Sequence, residues 1–181
     1  PANSCWFWGE GTRPRLDLFE KKFGVKGGVI SAVDLIKGIG ICAGLKSVDV
    51  PGATGNVNTN FAGKADAALE LLRNGCDFVY VHMEAPDECG HRGEVQNKVT
   101  AIERIDRDVI GRMLQGLEGE EFSMLVMPDH PTPLSVRTHT GDPVPFVLYR
   151  STEEGKTPAP RYTEAEAEKT GLFVPEGCQM M

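Results

Sequence analysis

An α/β fold, built on a mostly parallel sheet with helices on both faces, is predicted by three features of this 181-residue sequence. Short apolar runs alternate with segments of helical spacing along most of the chain. Several of those runs are apolar throughout rather than at every second position, the pattern of strands buried on both faces. The 21 Gly and 12 Pro residues supply turns between short elements.

Taken in order, Cys5–Trp8 is short and aromatic and is closed by Gly9-Glu10-Gly11, which predicts a strand entering a loop. Leu16–Phe23 is a short helix stopped by Gly24. Gly28–Ser31 is a brief apolar strand, and Ala32–Ala43 carries Val33, Ile36, Ile39 and Ile41 at helical spacing. Lys46–Val50 is a strand ended by Pro51-Gly52, and Gly55–Asn60 is a small, polar loop. Lys64–Arg73 is an amphipathic helix, and Asp77–Met83 is the strongest strand, being aromatic and β-branched. Glu94–Leu117 is the longest helix, with Val95, Val99, Ile102, Ile105, Val109, Ile110 and Leu114 along one side. Phe122–Met127 and Val144–Tyr149 are the last two strands. A Pro- and Glu-rich linker over Ser151–Arg161 and a short acidic helix over Thr163–Thr170 follow.

Composition narrows the function classes. With 40% apolar and 25% charged residues the chain is of ordinary globular type, not disordered or fibrous. A net charge of −7 and a pI near 5.1 argue against a nucleic-acid or anionic-membrane partner. No apolar run approaches the ~20 residues needed to cross a bilayer, and Pro1–Trp6 has no signal-peptide character. The five cysteines include no C-x-x-C pair, which fits reduced thiols and a cytoplasmic location better than a disulfide framework or zinc knuckle.

In open α/β sheets ligands bind beyond the carboxyl ends of the strands, and the chemistry-bearing residues here follow strands. Glu84–His91 follows one strand, Pro128–Pro133 follows the next, and Arg137–Pro143 precedes the last. Three of the four histidines therefore fall in loops at one sheet edge. Carboxylate oxygen with neutral imidazole nitrogen is a standard coordination set for Zn²⁺ or Mn²⁺. Asp87 and His91 are spaced to reach one ion, whereas the adjacent Asp129 and His130 would point apart and suit bridging toward two ions. His82 lies within a strand and reads as a hydrogen-bonded core or supporting histidine.

The D-x-x-x-H of Asp87 and His91, the Asp129-His130 pair, and the H-T-x-x-P-V-P beginning at His139 resemble the metal-binding half of the alkaline phosphatase superfamily. The strings Ser31–Gly40, Pro51–Gly55, Val81–Glu88 and Pro128–Pro133 further resemble the archaeal-type, 2,3-bisphosphoglycerate-independent phosphoglycerate mutases, over about Asn3 to Gly177. The resemblance implies an alkaline phosphatase-like α/β domain carrying an inserted substrate-binding domain. It also implies two divalent ions (Mn²⁺, Zn²⁺ or Mg²⁺) flanking a serine that is transiently phosphorylated. By position, Asp129 and His130 would serve the ion that activates the serine, and Asp87, His91 and His139 the second ion. Lys37 resembles a lysine near the phosphate, although a cation late in a helix is also favoured by the helix dipole.

No counterpart of the family's nucleophile or first metal-binding Asp is found, since Ser4, Ser31, Ser47, Ser123, Ser135 and Ser151 all lack that context. Residues 1–181 are therefore expected to be the C-terminal part of the phosphatase-like domain, incomplete without an N-terminal segment and the insertion. Positions 151–181 would form a linker and short C-terminal helix of that domain. The expected activity of the full-length enzyme is interconversion of 2- and 3-phosphoglycerate, this chain alone being inactive. Alternatives are another phosphoryl-transfer enzyme of the superfamily, a phosphatase or kinase-like relative, or a non-catalytic metal-binding module. The partners expected are a small-molecule substrate, with neither nucleic acid nor membrane, and self-association through an exposed sheet edge.

Overall fold

A computed structural model describes residues 11–153 and 160–180, so the strand expected at Cys5–Trp8 and part of the 151–161 linker lie outside the described residues. The described elements run α1 (Phe19–Phe23), β1 (Gly27–Ile30), α2 (Asp34–Cys42), β2 (Lys46–Ser47), α3 (Phe61–Arg73), β3 (Phe78–Val81), α4 (Ala85–Arg92) and α5 (Val95–Arg104). A π-helical turn (Ile105–Ile110), α6 (Gly111–Gly116), β4 (Ser123–Val126), β5 (Val147–Arg150), α7 (Glu164–Lys169) and a 3₁₀ turn (Gly177–Met180) complete them.

β1 is wholly buried and is the centre of a parallel sheet of order β2-β1-β3. Its alternate residues face opposite layers, as the period of two demands. Val29 packs on Gly40 of α2, where an added Cβ would sit 2.5 Å from Val29 Cγ1. Gly28 instead meets Leu71 of α3, and Ile30 joins Phe61, Ala65 and Ala68 in the core cluster. The sheet is thus covered on both faces, as expected. Burying a residue such as Phe61, which has no exposed surface, stabilises by about 1.5–3 kcal/mol. α3 starts where it does because the Asn60 side chain accepts from Gly63 N–H at its N-terminus.

Three expectations need correction. The last two strands pair with each other antiparallel, Val126 opposite Val147, apart from the three-stranded sheet among the described residues. The long Glu94–Leu117 helix is interrupted by the π turn, in which Asp108 is held by Arg104 and Arg107 at 3.0 and 2.7 Å. Its apolar stripe is only partly a core face: Val109 is buried, but Val95, Val99 and Ile102 are exposed.

Two consequences position the site. β1 and β3 are parallel, so Ser31 and His82 leave the sheet at the same edge, where His82 N–H donates to the Ile30 carbonyl at 2.8 Å. Because β5 runs antiparallel to β4, the segment leading into β5 lies beside the segment leaving β4. That pairing carries His139 back toward Asp129 and His130.

Candidate metal centre

Asp87 and His91 sit on α4, not in the loop expected for them, and helical i, i+4 spacing puts them on one face. α4 begins with Pro86 and an acidic first turn and ends at Gly93, whose φ of 69° is left-handed. His91 Nε2 lies 3.3 Å from Asp87 Oδ2, and His139 Nε2 lies 3.3 Å from Asp87 Oδ1. The two Nε2 atoms are 3.1 Å apart. The His130 ring lies 3.7 Å, centroid to centroid, from that of His139. Donor atoms of Asp87, His130 and His139 all fall within 4.8 Å of one another. Asp129 accepts from the His130 backbone N–H at 3.1 Å, and its Oδ2 is 3.5 Å from His130 Nε2. Of the adjacent pair, His130 belongs to the cluster of donor atoms, while Asp129 contacts His130 itself.

Proton accounting tests whether a cation fits. His91 Nδ1 lies 3.0 Å from the Arg137 carbonyl oxygen, which can only accept, so Nδ1 carries the proton of the neutral ring. In that neutral form His91 Nε2 is a lone pair facing the Asp87 carboxylate. In a ring of such acceptors, the single N–H of His139 can satisfy at most one contact. With the rings neutral, such converging lone pairs are the arrangement that a divalent cation relieves. Tetrahedral ligands about 2.0–2.1 Å from Zn²⁺ lie roughly 3.3 Å apart, near the separations found here. The donor chemistry and spacing fit a divalent ion.

Nothing in the sequence pattern singles out Thr132 as a site residue. It is buried, and its hydroxyl donates to Asp87 and lies 3.3 Å from His130 Nδ1. Its signal was only its place two residues after His130 in the Pro128–Pro133 string. Lys64 falls in the segment whose spacing predicts an amphipathic helix, yet it is completely buried and donates to the His82 carbonyl at 3.2 Å. Burial pushes its ammonium below the ordinary lysine value, with Glu84 opposing. Burial also pushes Glu84 above the usual carboxylate range, reinforced by Glu88 and Asp87. His82 is a hydrogen-bonded supporting histidine, 3.0 Å from Ser31 Oγ through Nδ1.

Lys37 stands apart from the metal-ligand cluster in its contacts. On α2, its Nζ contacts Asp49 at 2.9 Å and Asp34 at 3.3 Å, and those two bonds raise its pKa. Cys42, Cys76, Cys89 and Cys178 are all free thiols. No described helix is long and apolar enough to cross a membrane.

Residues 1–174 match the family model described as Metalloenzyme superfamily. A 2,3-bisphosphoglycerate-independent phosphoglycerate mutase of Methanothrix thermoacetophila is 55% identical over 150 residues, covering 82% of this chain and 38% of that protein. A probable enzyme of the same name from Geobacter sulfurreducens is 49% identical over 182 positions, covering 100% of this chain and 45% of that protein. The solved structure of a Pyrococcus horikoshii protein superposes with a TM-score of 0.79 at 36% identity, over 88% of this chain and 48% of that one. The chain thus spans less than half the length of the curated relatives described here.

Proposed function

Because the chain belongs to the Metalloenzyme superfamily, we propose that it is the metal-binding C-terminal part of a 2,3-bisphosphoglycerate-independent phosphoglycerate mutase. The full-length protein would interconvert 2- and 3-phosphoglycerate through a phosphoserine intermediate, with the nucleophile outside this chain. The observation that carries the reading is the convergence of Asp87 and His91 on α4 with His130 and His139 from the segment joining β4 to β5. The 55% and 49% identities to proteins of that name support the substrate.

In this reading Asp129 and His130 hold one divalent ion, and Asp87, His91 and His139 hold a second, the pair being Mn²⁺, Zn²⁺ or Mg²⁺. Such ions, when bound, polarise phosphoryl oxygens and offset charge as the group moves between hydroxyls. The chain's own residues prepare the site. The Arg137 carbonyl sets the His91 tautomer, and the Asp87 carboxylate faces His91 through one oxygen and His139 through the other. Lys37 would contact the substrate phosphate, which requires its ammonium to be shared with or released from Asp34 and Asp49. The reaction is confined to a small anionic substrate in the cytoplasm.

The test is Mn²⁺ titration and a coupled mutase assay on the full-length protein and its His130→Ala variant. Turnover should fall by orders of magnitude with the fold retained. Near-normal turnover by the variant removes His130 from the site.

A further inference from the structure

We propose that the Thr132 hydroxyl is a positioning group that couples the two halves of the metal centre, holding Asp87 in place and fixing which nitrogen of His130 is protonated. The inference rests on the reading that these residues bind divalent ions.

A threonine hydroxyl has one proton to give and can accept through its oxygen. The Asp87 carboxylate can only accept, so the hydroxyl proton is committed to it. The remaining contact, 3.3 Å to His130 Nδ1, must then run from the ring N–H to the threonine oxygen. That assignment leaves His130 Nε2 as the free lone pair, 3.5 Å from Asp129 Oδ2. One buried hydroxyl therefore orients a candidate ligand of each ion, bridging positions 45 residues apart.

Thr132 is itself fastened. Lys98 Nζ, on α5, donates to the Thr132 carbonyl at 2.7 Å. On α4, Gly90 presents no side chain at the point where a Cβ would lie 2.6 Å from that same oxygen. The chain leaving β4 is thereby clamped against the two helices, one of which carries Asp87 and His91. Without the hydroxyl, Asp87 loses its donor and either His130 nitrogen can take the proton. Removing such a supporting hydrogen bond typically weakens a metal site by about 10–100-fold.

The experiment compares the full-length wild type with Thr132→Val, Thr132→Ala and Thr132→Ser. Mn²⁺ affinity is measured by calorimetry, and the His130 tautomer by ¹⁵N NMR on metal-free protein at a pH where the rings are neutral. Thr132→Val and Thr132→Ala should each weaken Mn²⁺ binding about 10–100-fold and convert His130 from the Nδ1–H form to a mixture. Thr132→Ser should restore both readouts. Using alanine beside valine keeps the result independent of whether the site accommodates a branched apolar group. Wild-type affinity together with a retained Nδ1–H tautomer in these two variants overturns the proposal. If the wild type binds no Mn²⁺, the metal-centre reading falls, and the tautomer alone still decides the hydroxyl's role: its loss in the variants supports the bond, its retention overturns it.

Discussion

His91 Nδ1 lies 3.0 Å from the backbone carbonyl of Arg137, a residue held at φ 57°, the one described non-glycine in the left-handed region. That conformation costs an L-residue roughly 1–2 kcal/mol. Strain of this kind collects where a backbone group must be aimed, and here the group aimed is the acceptor that draws the proton of a neutral His91 ring to Nδ1. We expect Arg137→Gly, which accepts positive φ freely, to keep the metal affinity. Arg137→Val, whose branched Cβ resists that region, should lower it by about tenfold or more. Equal Mn²⁺ affinities in the two variants would detach the backbone geometry from the site.

Gly90 and Gly40 separate stability from site geometry. A Cβ at Gly90 would lie 2.6 Å from the Thr132 carbonyl and 2.9 Å from Lys98 Nζ, and one at Gly40 would lie 2.5 Å from Val29 Cγ1. Each Gly→Ala change should cost about 1–3 kcal/mol of overpacking, offset by up to ~1 kcal/mol of helix propensity. Only Gly90→Ala should also weaken metal binding, because only there is the displaced neighbour the loop that orients Asp87. Urea unfolding paired with Mn²⁺ calorimetry reads both effects. Weakened metal binding in Gly40→Ala as well would show that the loss reflects general loosening.

His82 gives the fold a pH dependence whose sign is fixed by burial. Burial lowers its pKa below the ordinary 6.5, and Lys64 and His130 push the same way while Asp129 and Asp87 oppose. Its Nδ1 already faces Ser31. The folded state therefore prefers the neutral ring while the unfolded chain protonates near 6.5. Stability is complete above that pH and is lost as pH falls toward the lower folded-state value. Wild type should lose more stability than His82→Gln between about pH 7.5 and pH 5.5 in urea unfolding. Parallel losses in the two proteins would remove His82 from the account.

Much of this fold was legible because burial wrote it into composition. β1 and β3 are apolar and β-branched where the sheet is covered on both faces, and the helix between Asn60 and Asn74 carries both periodicity and a capping side chain. The direction of β5 was not legible. All four of its residues are exposed, so no burial pattern reports its neighbours, and pairing direction is a tertiary property. In sequence α4 reads as loop, being short and polar and containing Gly90. Its boundary signals were nevertheless present: Pro86, Asp87 and Glu88 at the start, and His91, Arg92 and Gly93 at the end. At the site, the residue types Asp and His after strands announced metal chemistry. The hydrogen bonds that orient His91 and Asp87 join residues 46 and 45 positions apart and leave no local pattern.

Open strand edges predict self-association of the isolated chain. Among the described residues β3 pairs on one side only, with β1, and β4 pairs on one side only, with β5. Tyr80, Leu125, Val147 and Leu148 on these strands are exposed. Unpaired edges bearing apolar side chains recruit further strands. Sedimentation should therefore show concentration-dependent dimers or larger species. A monodisperse monomer would count against an incomplete sheet.

The isolated chain should bind one divalent ion well, a second poorly, and have no mutase activity. Asp87, His91 and His139 bring donor atoms to 3.1–3.3 Å of one another, which is already the complement of three protein ligands that a catalytic site holds, with solvent completing it. Asp129 and His130 offer only two donors, 3.5 Å apart, and Asp129 is exposed. With one carboxylate at the second position, the Coulomb attraction that offsets cation dehydration is weak in water-accessible surroundings. In the proposed mechanism the phosphoryl group is taken up by a serine outside this chain, so the isolated chain should form no covalent intermediate. Calorimetry with Mn²⁺ and Zn²⁺ should give a stoichiometry near one at micromolar metal, and a coupled assay with 3-phosphoglycerate should stay at background. Two equally tight sites, or measurable turnover, would mean that the division of ligands between the ions is wrong.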